Sequence, residues 1–219
     1  MPTQQRFLRI SQFYDRIGDN GWRKSDYFTL SVRSSALRRW IAAQLPQKEA
    51  KLLSVGCGTG ELERHLSDLQ YQVVGVDVSH QMLKRAHDRG LKLLVQADSQ
   101  SLPFGDDSFD VVMFMECVGY LDMPTAFREA WRVLGNCGRL LITTYSGDVR
   151  VHAPYTKFRL NEIASSLAVA AFRIEDHRFL DVKRTFVAEV MSNNESMLLY
   201  ILCTKQELGR CSAERLVEG

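Results

Sequence analysis

No stretch of this 219-residue sequence approaches the run of about 20 apolar residues that a membrane-spanning helix needs. The first residues, Met1-Pro2-Thr3-Gln4-Gln5-Arg6, lead into a polar, aromatic-bearing segment without the continuous apolar stretch of a secretory signal. These absences predict a soluble, cytoplasmic chain without a membrane partner. An excess of one charge is missing too: 28 basic and 26 acidic residues leave a net charge of +2, too balanced to draw double-stranded nucleic acid. The local basic groups, Arg33, Arg38 and Arg39 and then Lys183-Arg184, read as solvated faces. Cysteines at metal spacing are also lacking. Cys57, Cys117, Cys137, Cys203 and Cys211 are odd in number and scattered, with no Cys-x-x-Cys pair and no histidine at zinc spacing. A reducing compartment and no bound metal are therefore expected. Repeats and low-complexity tracts do not occur.

What is present suits a folded domain. The sequence is 45% apolar and 25% charged, near the globular average, and its length fits one domain with an appendage. Helical spacing connects Phe7, Ile10, Phe13, Tyr14 and Ile17, and again Leu30, Ala36, Leu37, Trp40, Ile41 and Leu45. Gly18-Asp19-Asn20-Gly21 separates the two pieces and Pro46 ends the second, which defines a helical cap over residues 1–48.

From residue 51 short β-branched runs alternate with amphipathic ones. Strands are expected at 51–55, 72–76, 91–95, 109–115 and 139–144, and helices at 61–69, 79–89 with Ser79 as N-cap, and 124–134. The strands are too continuously apolar for a one-sided sheet, so helices should cover both faces. After a helix at 160–170, strands at 172–181 and 197–204 have too short a connection for a comfortable helical crossover and should pair antiparallel at the sheet edge. The expected fold is α/β and doubly wound: a mostly parallel seven-stranded sheet with a C-terminal antiparallel strand, over residues 49–219.

The first strand runs into "LLSVGCGTGEL", with Gly56, Gly58 and Gly60 at alternate positions. In such sheets ligands sit beyond the carboxyl ends of the strands, where this loop lies. Glycine there permits dihedrals closed to other residues and lets a ligand approach the backbone. The spacing is not the Gly-x-Gly-x-x-Gly that sets a pyrophosphate on a helix N-terminus. Asp77, 17 residues after Gly60 and at the end of the second strand, is placed to accept both hydroxyls of a ribose. Asp98, after the third strand, could accept from an adenine amine.

"LLSVGCGTGEL", "VVGVDVSHQMLKRA", "QADSQSLPFGDDSFDVVMFMECVGYL" and "FREAWRVLGNCGRLLITTY" resemble, in order across about residues 51–145, the motifs of class I S-adenosylmethionine-dependent methyltransferases. They resemble particularly the branch that includes ubiquinone and menaquinone biosynthesis enzymes. The resemblance implies S-adenosyl-L-methionine as cofactor, passed by Gly56, Cys57, Gly58 and Gly60, with its ribose on Asp77. Val78 and Met82 would pack on the adenine, with Asp98 and Ser99 at its edge. Met115 and Glu116 would lie beside the amino-acid end, and Tyr14 would close the pocket.

Many relatives carry a histidine, or a glutamate-histidine pair, where this chain has Gly119-Tyr120. Glu116, Tyr120 and the loop residue His152 are the candidates for contacting the acceptor. His65, His80, His87 and His177 look structural. Methyl transfer by in-line displacement depends chiefly on proximity and alignment, so a dedicated base is required only when the acceptor must lose a proton. No Asn/Asp-Pro-Pro-aromatic segment follows the fourth strand, and there is no Pro-Cys nucleophile. Aromatic residues Phe13, Tyr14, Trp22, Tyr27, Phe28, Tyr155 and Phe158 are available to enclose a small, partly apolar acceptor. The sequence therefore predicts a methyltransferase acting on an O, N or C atom of a metabolite, as monomer or homodimer. The alternatives are a tRNA-modifying enzyme with its footprint on Arg33, Arg38 and Arg39, a non-catalytic cofactor-binding regulator, and a nicotinamide-dependent oxidoreductase.

Overall fold

Val111, Val112, Met113 and Phe114 form one uninterrupted apolar run with no solvent face, and the strand they build is central. A computed structural model describes residues 3–19, 35–46, 49–146, 155–181 and 197–205. Its elements are α1 (Thr3–Asp19), α2 (Ser35–Gln44), β1 (Lys51–Val55), α3 (Glu61–Asp68), β2 (Gln72–Asp77), α4 (His80–Asp88), β3 (Leu94–Gln96) and β4 (Phe109–Met115). A 3-10 turn at Val118–Tyr120 leads to α5 (Met123–Val133), β5 (Leu134–Ser146), α6 (Leu160–Val169), β6 (Phe172–Asp181) and β7 (Met197–Lys205).

The seven strands lie in the order β3-β2-β1-β4-β5-β7-β6. β1 is parallel to both β2 and β4, whereas β7 is antiparallel to both β5 and β6. This is the expected doubly wound sheet with its one reversed strand. Alternate residues of each strand face opposite sides. Leu53, Val55, Val112, Phe114, Leu140 and Ile142 join Phe127, Ala130, Ile163 and Leu167 of α5 and α6 in one core cluster. Leu52, Val111, Met113 and Leu141 join Trp40 and Ile41 of α2 and Leu62 and Leu66 of α3 in the other. Sequence order reverses between β1 and β4, and the crevice forms above that break.

Two boundaries differ from expectation. The third strand begins at Leu94 rather than Leu91, because α4 ends in a Schellman turn. Gly90 takes φ +93, its N–H bonds the His87 carbonyl and the Leu91 N–H bonds the Ala86 carbonyl. Leu91 is thus the apolar residue that seals a helix end. The turn at residues 135–138 is an irregularity inside a longer β5: Leu134 pairs with Phe109 and Arg139 with Val111. Among the cysteines, Cys57, Cys117 and Cys203 are free and buried. Cys137 is disulfide-bonded, so the reading of the cysteines as signs of a reducing compartment does not extend to it.

The two N-terminal helices take different positions. α2 is built into the core through Trp40, Ile41 and the following Leu45. α1 instead lies across the start of α4: Ser11 Oγ donates to the Val78 carbonyl at 3.2 Å, and Asp15 Oδ1 accepts from Ser79 Oγ at 2.6 Å and from the Gln81 N–H at 3.2 Å. Asp15 therefore adds a second carboxylate cap to a helix whose own N-cap, Ser79, already accepts from the Met82 N–H. Asp15→Ala is expected to speed backbone hydrogen exchange in residues 3–19 by about 2- to 30-fold, corresponding to the roughly 0.5–2 kcal/mol of a lost cap. Unchanged exchange in α1 would show that these bonds do not hold it.

Candidate cofactor and acceptor site

The glycine loop is a set of left-handed residues fixed from below. Gly56 has φ +73, Gly58 φ +54 and Gly60 φ +69, a region costly for residues with a Cβ. Close packing adds a second requirement: a Cβ on Gly56 would stand 2.7 Å from Cys117 Cβ, and one on Gly60 2.8 Å from Ala86 Cβ. The Gly56 and Cys57 N–H groups both donate to the Val76 carbonyl, at 2.8 and 3.0 Å, which anchors the loop on β2.

Asp77 joins this loop to α4. Its Oδ2 accepts the Gly58 N–H at 2.8 Å and its Oδ1 the Ser79 N–H at 2.9 Å. Burial pushes its carboxyl up to about 6 despite these bonds, and the neighbouring Asp15 adds to the rise. Val78 is partly exposed beside it and Met82 is buried. The Ala97 N–H reaches the Asp77 carbonyl at 3.2 Å, which brings Asp98 and the buried Ser99 to the same edge. Asp98 Oδ1 is already engaged by the Gln100 N–H at 3.0 Å, so this acid also braces its own turn.

At the end of β4 lies a second cluster of side chains, polar and aromatic. Glu116 takes φ +57, a strained value for a residue with a Cβ, and its N–H is held by the Thr143 carbonyl at 2.8 Å and Thr143 Oγ1 at 3.1 Å. The Tyr145 hydroxyl donates to Glu116 Oε2. Burial and the adjacent Glu116 push the Tyr145 phenol well up, which keeps it a donor. Tyr155, bonded at 2.7 Å to Thr144 Oγ1, packs edge-on to Tyr145 and to Tyr120, and Tyr120 in turn packs edge-on to Tyr14 of α1. Burial also raises the phenols of Tyr14 and Tyr120, which share a hydrogen bond.

The departure at Gly119 has a steric cause. A Cβ there would fall 2.4 Å from the Tyr155 ring and 2.5 Å from the Thr156 carbonyl, so Tyr155 fills the space a histidine would need. His152, Trp22, Tyr27, Phe28 and Arg33 lie outside the described residues. Phe158 packs against the core cluster under α5 and α6 rather than beside the tyrosines. Arg38 is partly buried and Arg39 exposed on α2.

Besides Tyr145, two residues escaped the sequence reading. Asp15 follows the quoted Phe13-Tyr14, and only the tertiary fold shows that it reaches Ser79. Glu63 falls on the buried stripe of α3 with Leu62 and Leu66, a position that helical spacing alone could have revealed. It is 3% exposed and accepts from Ser54 Oγ at 2.6 Å, and burial raises its carboxyl to about 7. Glu63, Asp77, Glu116 and Asp15 thus gather acidic side chains about the ends of β1, β2 and β4. No basic side chain of a described residue pairs with Glu63 or Asp77. Such a set of acceptors opposes a dinucleotide's phosphates and suits a nucleoside that carries positive charge, as a sulfonium cofactor does.

Comparison with known proteins agrees with this chemistry. Residues 53–142 match the methyltransferase domain family. Demethylmenaquinone methyltransferase of Tropheryma whipplei is 28% identical over 176 residues, covering 75% of this chain and 68% of that protein. The ubiquinone/menaquinone biosynthesis C-methyltransferase UbiE of Vibrio parahaemolyticus is 32% identical over 146 residues, covering 59% of this chain and 55% of that one. Geranyl diphosphate C-methyltransferase of Streptomyces coelicolor, solved with S-adenosyl-L-homocysteine, shares the fold with a TM-score of 0.71 at 14% identity, over 94% of this chain and 100% of that one. Over residues 53–142 the chain thus matches a methyltransferase domain, and its sheet is the fold of solved S-adenosylmethionine-dependent methyltransferases. Its curated relatives include the quinone-biosynthesis branch that its motifs resemble, and it spans 39–68% of the length of the relatives it matches. Among the described residues, no helix is long and apolar enough to cross a membrane.

Glu63 and Asp77 have raised pKa values, so each contributes stability that is full below its unfolded value and is lost as pH rises through the folded one. For Glu63 that window runs from 4.5 to about 7, and for Asp77 from 3.8 to about 6. Glu63→Gln removes one titration. Relative to the parent it should gain about 1–3 kcal/mol of thermal stability at about pH 8 and nothing at about pH 4. A difference that does not vary with pH would contradict the buried position of the acid.

Proposed function

We propose that this enzyme transfers the methyl group of S-adenosylmethionine to an O, N or C atom of a small, partly apolar metabolite bound between α1 and the end of β4. The observation that carries the reading is the run of packed tyrosines 14, 120, 155 and 145 that ends on Glu116. Bound cofactor supplies a methyl on a sulfonium, ready for in-line displacement. The chain's own residues supply position. Gly56, Cys57, Gly58 and Gly60 form the wall along the cofactor, Asp77 accepts its ribose hydroxyls, and Val78, Met82, Asp98 and Ser99 surround its base. Met115 and Glu116 stand beside its amino-acid end.

Glu116 and Tyr120 orient the acceptor, and aromatic faces exclude water from the transfer. Residues 1–48 act in two parts, with α2 as scaffold and α1 as the cover that Tyr14 closes. A small acceptor suits the packed tyrosines at the end of β4 better than tRNA, since among the described residues the groups gathered there are aromatic and acidic rather than basic. His152 keeps its place as a candidate contact in the loop after β5, and the protein works in solution as a monomer or homodimer.

Incubation with methyl-labelled cofactor and fractionated cell extract tests this directly. Label is expected in the low-mass metabolite fraction, and label confined to RNA or to protein would overturn the reading. Tyr120→Phe should lower kcat by about 10–100-fold, with cofactor affinity within about threefold of the parent. An equal loss of cofactor affinity would move Tyr120 to the cofactor side.

A further inference from the structure

Glu63 has no part in the proposed transfer, yet its placement is specific. The Ser54–Glu63 hydrogen bond joins the last turn of β1 to the first turn of α3, which are the two ends of the loop at residues 56–60. The carboxyl therefore lies under the base of that loop, nearly excluded from solvent. Among the described residues, the titratable groups whose charge it feels are acids and thiols: Asp77 at the end of β2, Cys57 in the loop, Cys117 just after β4 and Glu61 on its own helix. Its hydrogen-bond partners are the Ser54 hydroxyl and its own backbone. Purely structural use would favour a glutamine or an apolar residue, since a buried carboxylate without a cation is expensive.

We propose that Glu63 is a positioning residue that reads the charge of the cofactor: ionised beneath the sulfonium-bearing form, which it holds the more tightly, and protonated beneath the neutral demethylated product, which gains no such hold. The inference rests on the cofactor reading above. In the transfer the carbon–sulfur bond breaks and sulfur keeps its electron pair. The methyl bonds to the acceptor's lone pair, and the positive charge passes to the acceptor, which then gives up a proton. The crevice thus loses one positive charge at each turnover while its buried acids stay in place. Uptake of a proton by Glu63 restores the balance. The carboxyl titrates near neutral pH, where a single charge is enough to tip it. Its bond from the Ser54 hydroxyl favours the ionised form and sets where the change falls.

Calorimetry of the full chain with S-adenosylmethionine and with S-adenosylhomocysteine, in two buffers of different ionisation enthalpy, reads protons released on binding. At about pH 7 the parent should release up to about half a proton on binding S-adenosylmethionine and clearly fewer on binding the product. The ratio of the two affinities should rise several-fold, up to about tenfold, between about pH 6 and pH 8. Glu63→Gln should abolish both differences. Should that variant not fold, Ser54→Ala serves instead: it removes the bond that favours ionisation and should move the midpoint of the ratio upward in pH. Equal proton release for the two ligands in the parent, or a difference that survives in Glu63→Gln or stays unmoved in Ser54→Ala, would overturn the inference while leaving the cofactor reading intact. Failure to bind either ligand would overturn both.

Discussion

The site depends on one buried carboxylate shared between two backbone amides. Asp77 takes the Gly58 N–H on one oxygen and the Ser79 N–H on the other. It thereby sets the glycine loop against the start of α4, across the carboxyl ends of β1 and β2. Each amide is a donor that would otherwise be orphaned at a turn or a helix start. Each bond also lowers the cost of keeping the acid ionised in a dry place. α1 is tied to the same point, since Asp15 bonds the Ser79 hydroxyl. The cover, the glycine loop and the start of α4 are therefore joined through the Asp77–Ser79 pair.

The second half of the site has a different material. Where Gly119 leaves no room for a side chain, Tyr155 enters, and four tyrosines continue from α1 to Glu116. Burial keeps these phenols protonated. They offer aromatic faces and weakly polar hydroxyls rather than a base. Such a surface suits a reaction in which alignment supplies most of the rate.

Most of the sheet was legible because a parallel strand buried on both faces leaves a continuous apolar run. β1, β4 and β6 fall at the residues expected, and Ser79 caps α4 as its type and position imply. Leu91 misled because an apolar residue that seals a helix end looks like the start of a strand. Gly56, Gly58 and Asp77 could be read as a unit, since their spacing reflects a local strand-turn-helix path. Asp15, Tyr145 and Glu63 could not be assigned in that way. Their meaning comes from partners 64, 29 and 9 residues away. Gly119 is similar: its reason is Tyr155, which lies 36 residues later and was read only as part of a covering loop.

If the Asp77 clasp is the constraint on which the cofactor site rests, its loss should act on cofactor affinity before it acts on the fold. An amide at this position has one acceptor oxygen for two backbone donors and for a ribose. Calorimetric titration of Asp77→Asn with S-adenosylhomocysteine, alongside its circular dichroism, measures both. The account predicts affinity reduced about 100-fold or more with the secondary structure retained. Affinity within about threefold of the parent in a folded variant would contradict it.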